Sequence, residues 1–292
     1  MFKVGYSAGL VKGEQFFKDL KNAGFQCVET SVRNTSPEEA INQFTTDFSE
    51  AKKMIEGIGL EVNSYHLPFN YSTFGGINLS RDTIADKTVD FYTEIIARVT
   101  DAGLTNLFVA HSSNDGNKEI VDRRPLINRA KESYYRLAEN ASKYGAVIAV
   151  ECLPRSCVGR DSNEILEILS VNDKLRCCFD TNHLLLEKPA DFVKKVGSKI
   201  ITTHVSDYDF INERHWLPGE GDNDWQSIIS ALKEIGYKGP WLYEMGLVAP
   251  KSIMRERDLT AKDVYNNAME LFSGKKPTTI STRYKDLPMY VR

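Results

Sequence analysis

The sequence predicts a single α/β domain folded as a (β/α)₈ barrel, and three observations carry that expectation. Eight short apolar runs rich in β-branched residues recur along the chain, as parallel strands covered on both faces require. Segments with the helical period of apolar residues separate them. Eight such units use up the chain to about residue 272 with little left over. An open doubly wound sheet is the competitor, but it usually carries a glycine-rich phosphate loop after its first strand. Here that stretch reads SAGLVKGEQ, Ser7 to Gln15, which is not GxGxxG.

The strands are expected at Phe2–Ser7, Phe25–Ser31, Leu60–His66, Leu104–His111, Ala146–Glu151, Leu175–Asp180, Lys199–Ser206 and Pro240–Met245. Gly24, Gly59, Gly103, Gly145 and Gly236 each follow a helical pattern just before a strand, the place of a left-handed C-cap. Ser36-Pro37-Glu38-Glu39 offers an N-cap, a proline at the first helical position and a capping-box glutamate. Thr260 to Asp263 is a second start signal, and Asp222 to Asp224, after a Pro-Gly-Glu-Gly turn, is expected to cap a further helix. The barrel is assigned to residues 1–272. Residues 273–292, polar, slightly basic and proline-containing, are expected to form a C-terminal extension lying over the barrel or a partner subunit, or else to fray.

Composition narrows the function classes. The chain is 41% hydrophobic and 26% charged, ordinary for a soluble globular protein. A net charge of −3 gives no footprint for nucleic acid or an anionic membrane. The N-terminus reads as a strand, not a signal peptide, and no window holds 18 uninterrupted apolar residues. Five cysteines without CxxC spacing read as core thiols of a reducing compartment. A cytoplasmic protein with no membrane and no nucleic-acid partner is the expectation.

Catalytic groups of such barrels come from the C-terminal ends of the strands. Here those ends carry Glu29, His66, His111, Glu151, Asp180, His204 and Glu244. Singly, each has an ordinary explanation as a helix cap, an ion-pair partner or a hydrogen-bonded core histidine. Together they face one mouth, where they would repel or stay unsatisfied unless a divalent metal organised them. Glu151, Asp180, His204 and Glu244 are the best ligand set. Three carboxylates and one imidazole suit Mn²⁺ first, with Mg²⁺, Co²⁺ or Zn²⁺ also possible. His183, three residues after Asp180, should face the same cavity and bind substrate or a second metal.

These residues carry a resemblance. Glu151-Cys152-Leu153-Pro154 after strand five, Asp180-Thr181-Asn182-His183 after strand six and His204-Val205-Ser206-Asp207 after strand seven come first. Arg214-His215-Trp216-Leu217-Pro218-Gly219-Glu220-Gly221 follows, and Glu244 ends strand eight. In this order they resemble the xylose isomerase-like TIM barrel superfamily, with similarity to its sugar phosphate isomerase/epimerase group and to its endonuclease IV group. The resemblance covers about residues 1–272. It implies a metal-dependent isomerase or epimerase of a sugar or sugar phosphate. Glu151 and Glu244 would then move a proton α to a carbonyl through an enediolate, from opposite faces, beside an ion that polarises the carbonyl. A metal-bound carboxylate is a weakened base, so its free oxygen would make the transfer. His183, Arg214, His66, His111, His215 and Trp216 would contact substrate, with Phe69 and Phe74 as further apolar wall. Residues 70–78, with Gly75-Gly76, are a candidate lid. Arg155 and Arg160 are candidates to meet a substrate carboxylate or phosphate.

One departure bears on the reaction. Ketose 3-epimerases of this superfamily carry a second glutamate in a stretch of the form E-x-x-N-R-F-E, whereas residues 151–157 read ECLPRSC. That weakens the ketose 3-epimerase assignment and leaves the wider group intact. An endonuclease IV-like phosphodiesterase is the alternative, with a trinuclear zinc site completed by His66, His111, His183, Glu213 and His215. Glu213 stands where those enzymes carry aspartate, and no basic cluster rises from the β–α loops to hold DNA. An inosose-type polyol dehydratase and a non-catalytic sugar-binding barrel are further readings. A homodimer is possible, since barrels of this group commonly pair.

Overall fold

The computed structural model describes residues 1–32, 46–69, 76–113 and 122–287. The capping signal at Ser36 to Glu39, Phe74 and most of the candidate lid at 70–78 lie outside the described residues. Eight parallel strands form one sheet in the order β7-β6-β5-β4-β3-β2-β1-β8. They are β1 (Val4–Gly9), β2 (Cys27–Ser31), β3 (Glu61–His66), β4 (Leu107–Ala110), β5 (Val147–Glu151), β6 (Arg176–Asp180), β7 (Ile200–His204) and β8 (Trp241–Tyr243). A bridge between Val205 and Tyr243, with Val205 N–H donating to Leu242 O at 2.8 Å, closes β7 onto β8. The (β/α)₈ barrel predicted by strand–helix alternation is the fold.

Among the described residues eight α-helices cover the strands: α1 (Gly13–Ala23), α2 (Phe48–Gly57), α3 (Ala85–Asp101), α4 (Arg124–Ser142), α5 (Ser162–Leu169), α6 (Pro189–Val196), α7 (Trp225–Glu234) and α8 (Ala261–Phe272). Each turns an apolar stripe inward; α1 buries Phe17, Leu20 and Ala23. Their ends follow local chemistry. Gly24 takes φ 118° and its N–H bonds Leu20 O and Lys21 O, while a side chain there would strike the ring of Tyr265 at 2.6 Å. Asp224 caps α7 by accepting from Ser227 N–H. Thr260 and Asp263 form a reciprocal capping box on α8. None of the described helices is long and apolar enough to cross a membrane.

The first strand starts two residues later than its apolar run predicts. Phe2 is spent at the foot of the barrel, where its ring meets Tyr237, Trp241 and Phe272. The fourth strand is shorter than expected because Leu104 N–H still bonds Val99 O of the preceding helix. Beyond the barrel, β9 (Ile253–Arg255) and β10 (Ser281–Arg283) form an antiparallel pair. The chain after α8 thus folds back over the loop that follows β7. There Arg283 donates to Glu220 O and to the carboxylate of Asp222.

Inside the barrel Val109, Ala149 and Cys178 form a small apolar layer separate from the main core. Side chains alternate faces along a strand. The residues two further on, His111, Glu151 and Asp180, therefore also project inward, at the C-terminal mouth.

At the start of α5, Glu164 accepts from Arg123 Nε and Nη2 at 2.7 Å each and from Gly159 N–H at 2.8 Å. Burial works to raise its carboxyl, but these partners hold it below its ordinary value. A depressed folded value means stability that is complete above the unfolded value of about 4.3 and lost as pH falls through the folded one. Urea midpoints of the parent and of Glu164→Gln should therefore differ most near neutrality and converge in acid. Equal gaps at pH 3 and pH 7 would refute this.

Candidate functional site

Strand ends from most of the barrel converge on Glu151. Its side chain is 1% exposed and four imidazoles surround it. Oε2 lies 3.1 Å from His66 Nε2 and 3.0 Å from His111 Nε2. Oε1 lies 3.3 Å from His204 Nδ1 and 3.4 Å from His183 Nδ1. His204 Nδ1 is in turn 3.2 Å from Glu244 Oε2 and 3.8 Å from Asp180 Oδ2. Strand register sets part of this, since Asp180 pairs with His204 in the β6–β7 ladder after a register shift at Cys177 and Cys178. Irregularities of this kind re-aim side chains and recur beside active sites.

Among the described residues five groups of ligand atoms result, each within 4.8 Å of one another: a central one of Glu151, Asp180, His204 and Glu244; two that flank it, His66, His111 and Glu151, and His183, Glu213 and His215; and two that overlap it, Glu29, His66, His204 and Glu244, and Glu151, Cys178 and His204. All five histidines of the chain belong to them. The four residues expected to bind metal form the central set, and the five expected as additional ligands form the flanking two.

The donor chemistry fits a metal. Asp180 Oδ2 is buried without a hydrogen-bond partner, a costly state for a carboxylate unless a cation meets it. Imidazole ligands need one nitrogen bonded behind so that the other offers its lone pair. His66 Nδ1 lies 2.7 Å from Leu67 O, His183 Nδ1 2.9 Å from Cys152 O and His215 Nδ1 3.3 Å from Glu244 O. Each such contact to a carbonyl requires a proton on Nδ1 and turns Nε2 toward a carboxylate, Glu151 for His66 and Glu213 for His183, where a bound ion would replace the proton on Nε2.

Electrostatics follow from crowding. Burial opposes the charged form of Glu151, yet the charges of His111 and His204 hold its carboxyl well below the usual range. Asp180 goes the other way, pushed well up by burial and by the charges of Glu244 and Glu151, against the pull of His183. Burial lowers and Glu151 raises His66, to a net value of about 9. His183 reaches about 10, burial being outweighed by Asp180 and Glu213. Glu213 falls to about 2 because His183 and Arg155 outweigh burial.

The loop after β7 carries Glu213 and His215, which meet His183 from the end of β6, and is built around Asp207. Its carboxylate accepts from the N–H groups of Gly219, Gly221 and Asn223 and from Trp225 Nε1. A Cβ at Gly221 would meet Asp207 Oδ1 at 2.3 Å, so only glycine fits there. Asn182 Oδ1 ties this loop to the β6 end by accepting from Arg214 N–H and His215 N–H. His215 and Arg155 take left-handed backbone, φ 53° and 57°. Such conformations cost a non-glycine residue about 1–3 kcal/mol and concentrate at functional sites.

The remaining expected contacts are placed as follows. Phe69 stacks on His111 with ring centres 4.3 Å apart. The Arg214 guanidinium bonds Asp209 at 2.7 Å. Arg155 pairs with Glu213 at 2.6 Å, so it already has a partner beside the site. Arg160 points instead toward Glu164, 3.6 Å away at the start of α5. Trp216 is fully buried, donates to Ser252 Oγ and lies under Arg283, whose Cζ is 5.4 Å from its ring. It offers packing for the loop, not an open wall to a ligand.

Two residues at the centre were given no role from sequence. Cys178 lies with Glu151 and His204, and its place two residues before Asp180 was a readable signal, since strand side chains alternate. Asn182 was legible only as part of the Asp-Thr-Asn-His run.

The family described as xylose isomerase-like TIM barrel matches residues 17–264. Fructoselysine 3-epimerase of Escherichia coli O157:H7 is 24% identical over 182 residues, 58% of this chain and 64% of the relative. The protein MJ1311 of Methanocaldococcus jannaschii is 34% identical over 111 residues, 35% of this chain and 38% of its own length. The chain thus spans less than two thirds of either relative. Among solved structures, that of an L-ribulose 3-epimerase superposes with a TM-score of 0.75 at 20% identity, covering 94% of each chain. That likeness is one of fold.

Proposed function

The chain belongs to the xylose isomerase-like TIM barrel family, and within it we propose a metal-dependent isomerase or epimerase that moves a proton α to the carbonyl of a sugar or sugar phosphate. One observation carries this reading: carboxylates from β5, β6 and the end of β8 converge on the single nitrogen Nδ1 of His204. The epimerase names of the fructoselysine relative and the L-ribulose structural neighbour support it.

Glu151, Asp180, His204 and Glu244 would hold the ion, and Mn²⁺ suits their hard, oxygen-rich set. When bound, it supplies positive charge that stabilises oxyanion character beside the reacting carbon. Glu244 is the group placed to meet substrate, its side chain 24% exposed against 1% for Glu151 and none for Asp180. Glu151 uses its two oxygens differently. Oε1 faces His204, while Oε2 meets His66 Nε2 and His111 Nε2, through which it would give or take a proton. His111 is 12% exposed and links that buried oxygen to the mouth. The five cysteines are free and buried, which suits a cytoplasmic enzyme.

A phosphodiesterase is the second reading, and the two flanking ligand sets favour it. In that reading the space between Glu151 Oε2 and the two imidazoles holds a second metal, where the isomerase holds a proton. The metal-loaded protein, incubated in deuterated water with a panel of ketoses and ketose phosphates, should exchange a substrate α-proton by NMR only with metal present. No exchange on any sugar, together with three ions per chain and cleavage of an abasic-site duplex, would establish the second reading instead.

A further inference from the structure

We infer that Glu29 is a positioning residue for the metal centre, fixing through His204 the nitrogen that faces the ion. The inference rests on the metal-dependent reading above and assigns a role to a residue outside its four ligands, although Glu29 also lies in a group with His66, His204 and Glu244. Glu29 is fully buried in the middle of β2, two residues before its C-terminal end. Its Oε1 lies 2.9 Å from His204 Nε2, across the barrel and 175 residues away in sequence. A carboxylate accepts only, so Nε2 must carry the proton. Nδ1, the nitrogen on which Glu151, Glu244 and Asp180 converge, is then the one whose proton a bound ion would replace.

The three other histidines with a bonded back nitrogen use backbone carbonyls. His204 is bonded from behind by a charged acceptor, which raises the basicity of the ligand as well as its order. The barrel builds a seat for that charge. Ser7, Glu29 and Ser64 are register neighbours on β1, β2 and β3. Ser7 Oγ donates to Oε1 at 3.2 Å and Ser64 Oγ to Oε2 at 2.8 Å. The β2–β3 register shifts between Val28 and Glu29, setting Glu29 opposite Ser64. Burying a carboxylate costs several kcal/mol unless it is paired and bonded, so three donors aimed at Glu29 mark a built contact.

The test measures affinity for Mn²⁺ and Co²⁺ by chelator competition, with no sugar present, and records the visible spectrum of the Co²⁺ form. Glu29→Gln keeps the shape, removes the charge, and should weaken binding about 10–100-fold with a changed spectrum. Ser64→Ala should act in the same direction with smaller size and covers the case in which Glu29→Gln fails to fold. A drop in the thermal midpoint of the metal-free protein, with affinity and spectrum unchanged in either folded variant, would overturn the inference and leave Glu29 a core residue. A parent protein that binds no metal would overturn both this inference and the proposed function. A parent that binds metal but exchanges no sugar proton would overturn the function alone.

Discussion

Substituting Glu151→Gln is expected to strip the centre of metal and abolish turnover. This carboxylate belongs to three of the five ligand groups described above and touches four imidazoles, two on each oxygen. The amide keeps the volume but presents one neutral oxygen where two charged ones stood. The loss should exceed the ~10–100-fold that removal of an outer partner costs, because a ligand itself is gone. His66, raised to about 9 with Glu151 as its main charged partner, should titrate at lower pH in the variant, and NMR of its ring protons would show it. Elemental analysis after gel filtration measures the metal directly, with circular dichroism to confirm the fold. A variant that retains the parent's full metal content would remove Glu151 from the ligand set.

Glu244→Gln should separate binding from chemistry. Glu244 sits at the open side of the cluster, and the neutral amide oxygen can still complete the set formed by Asp180, His204 and Glu151. It cannot take up the substrate proton. Metal content should therefore stay near that of the parent, while α-proton exchange falls by about 10²–10⁴-fold, the usual worth of a positioned acid–base group. The depressed value of Glu244, set by His204 against burial, keeps it ionised and ready to accept at neutral pH. Exchange retained at the parent rate would take the proton-transfer role away from this residue.

Much of this site was legible because the fold converts a linear signal into a place. Once eight strands are recognised, a polar residue at a strand end has a destination, and seven such residues were named from their position alone. Strand edges were less legible. Phe2 has the side chain of a strand residue, and only the aromatic cluster at the barrel foot takes it out of the ladder. Trp216 has the side chain of a sugar platform, yet Arg283, from beyond the barrel, covers it.

By itself the sequence determined the alternation of strands and helices, the glycines and capping residues that punctuate them, and the list of side chains that arrive at the mouth. These are local properties, carried by hydrophobic period and backbone preference within a few residues. Only the tertiary structure decided which oxygen of Glu151 meets which imidazole, that Glu244 is open while Asp180 is sealed, and that Glu29 stands behind His204. Those relations join strands far apart in sequence, and they depend on ladder register and barrel closure, which no local stretch encodes.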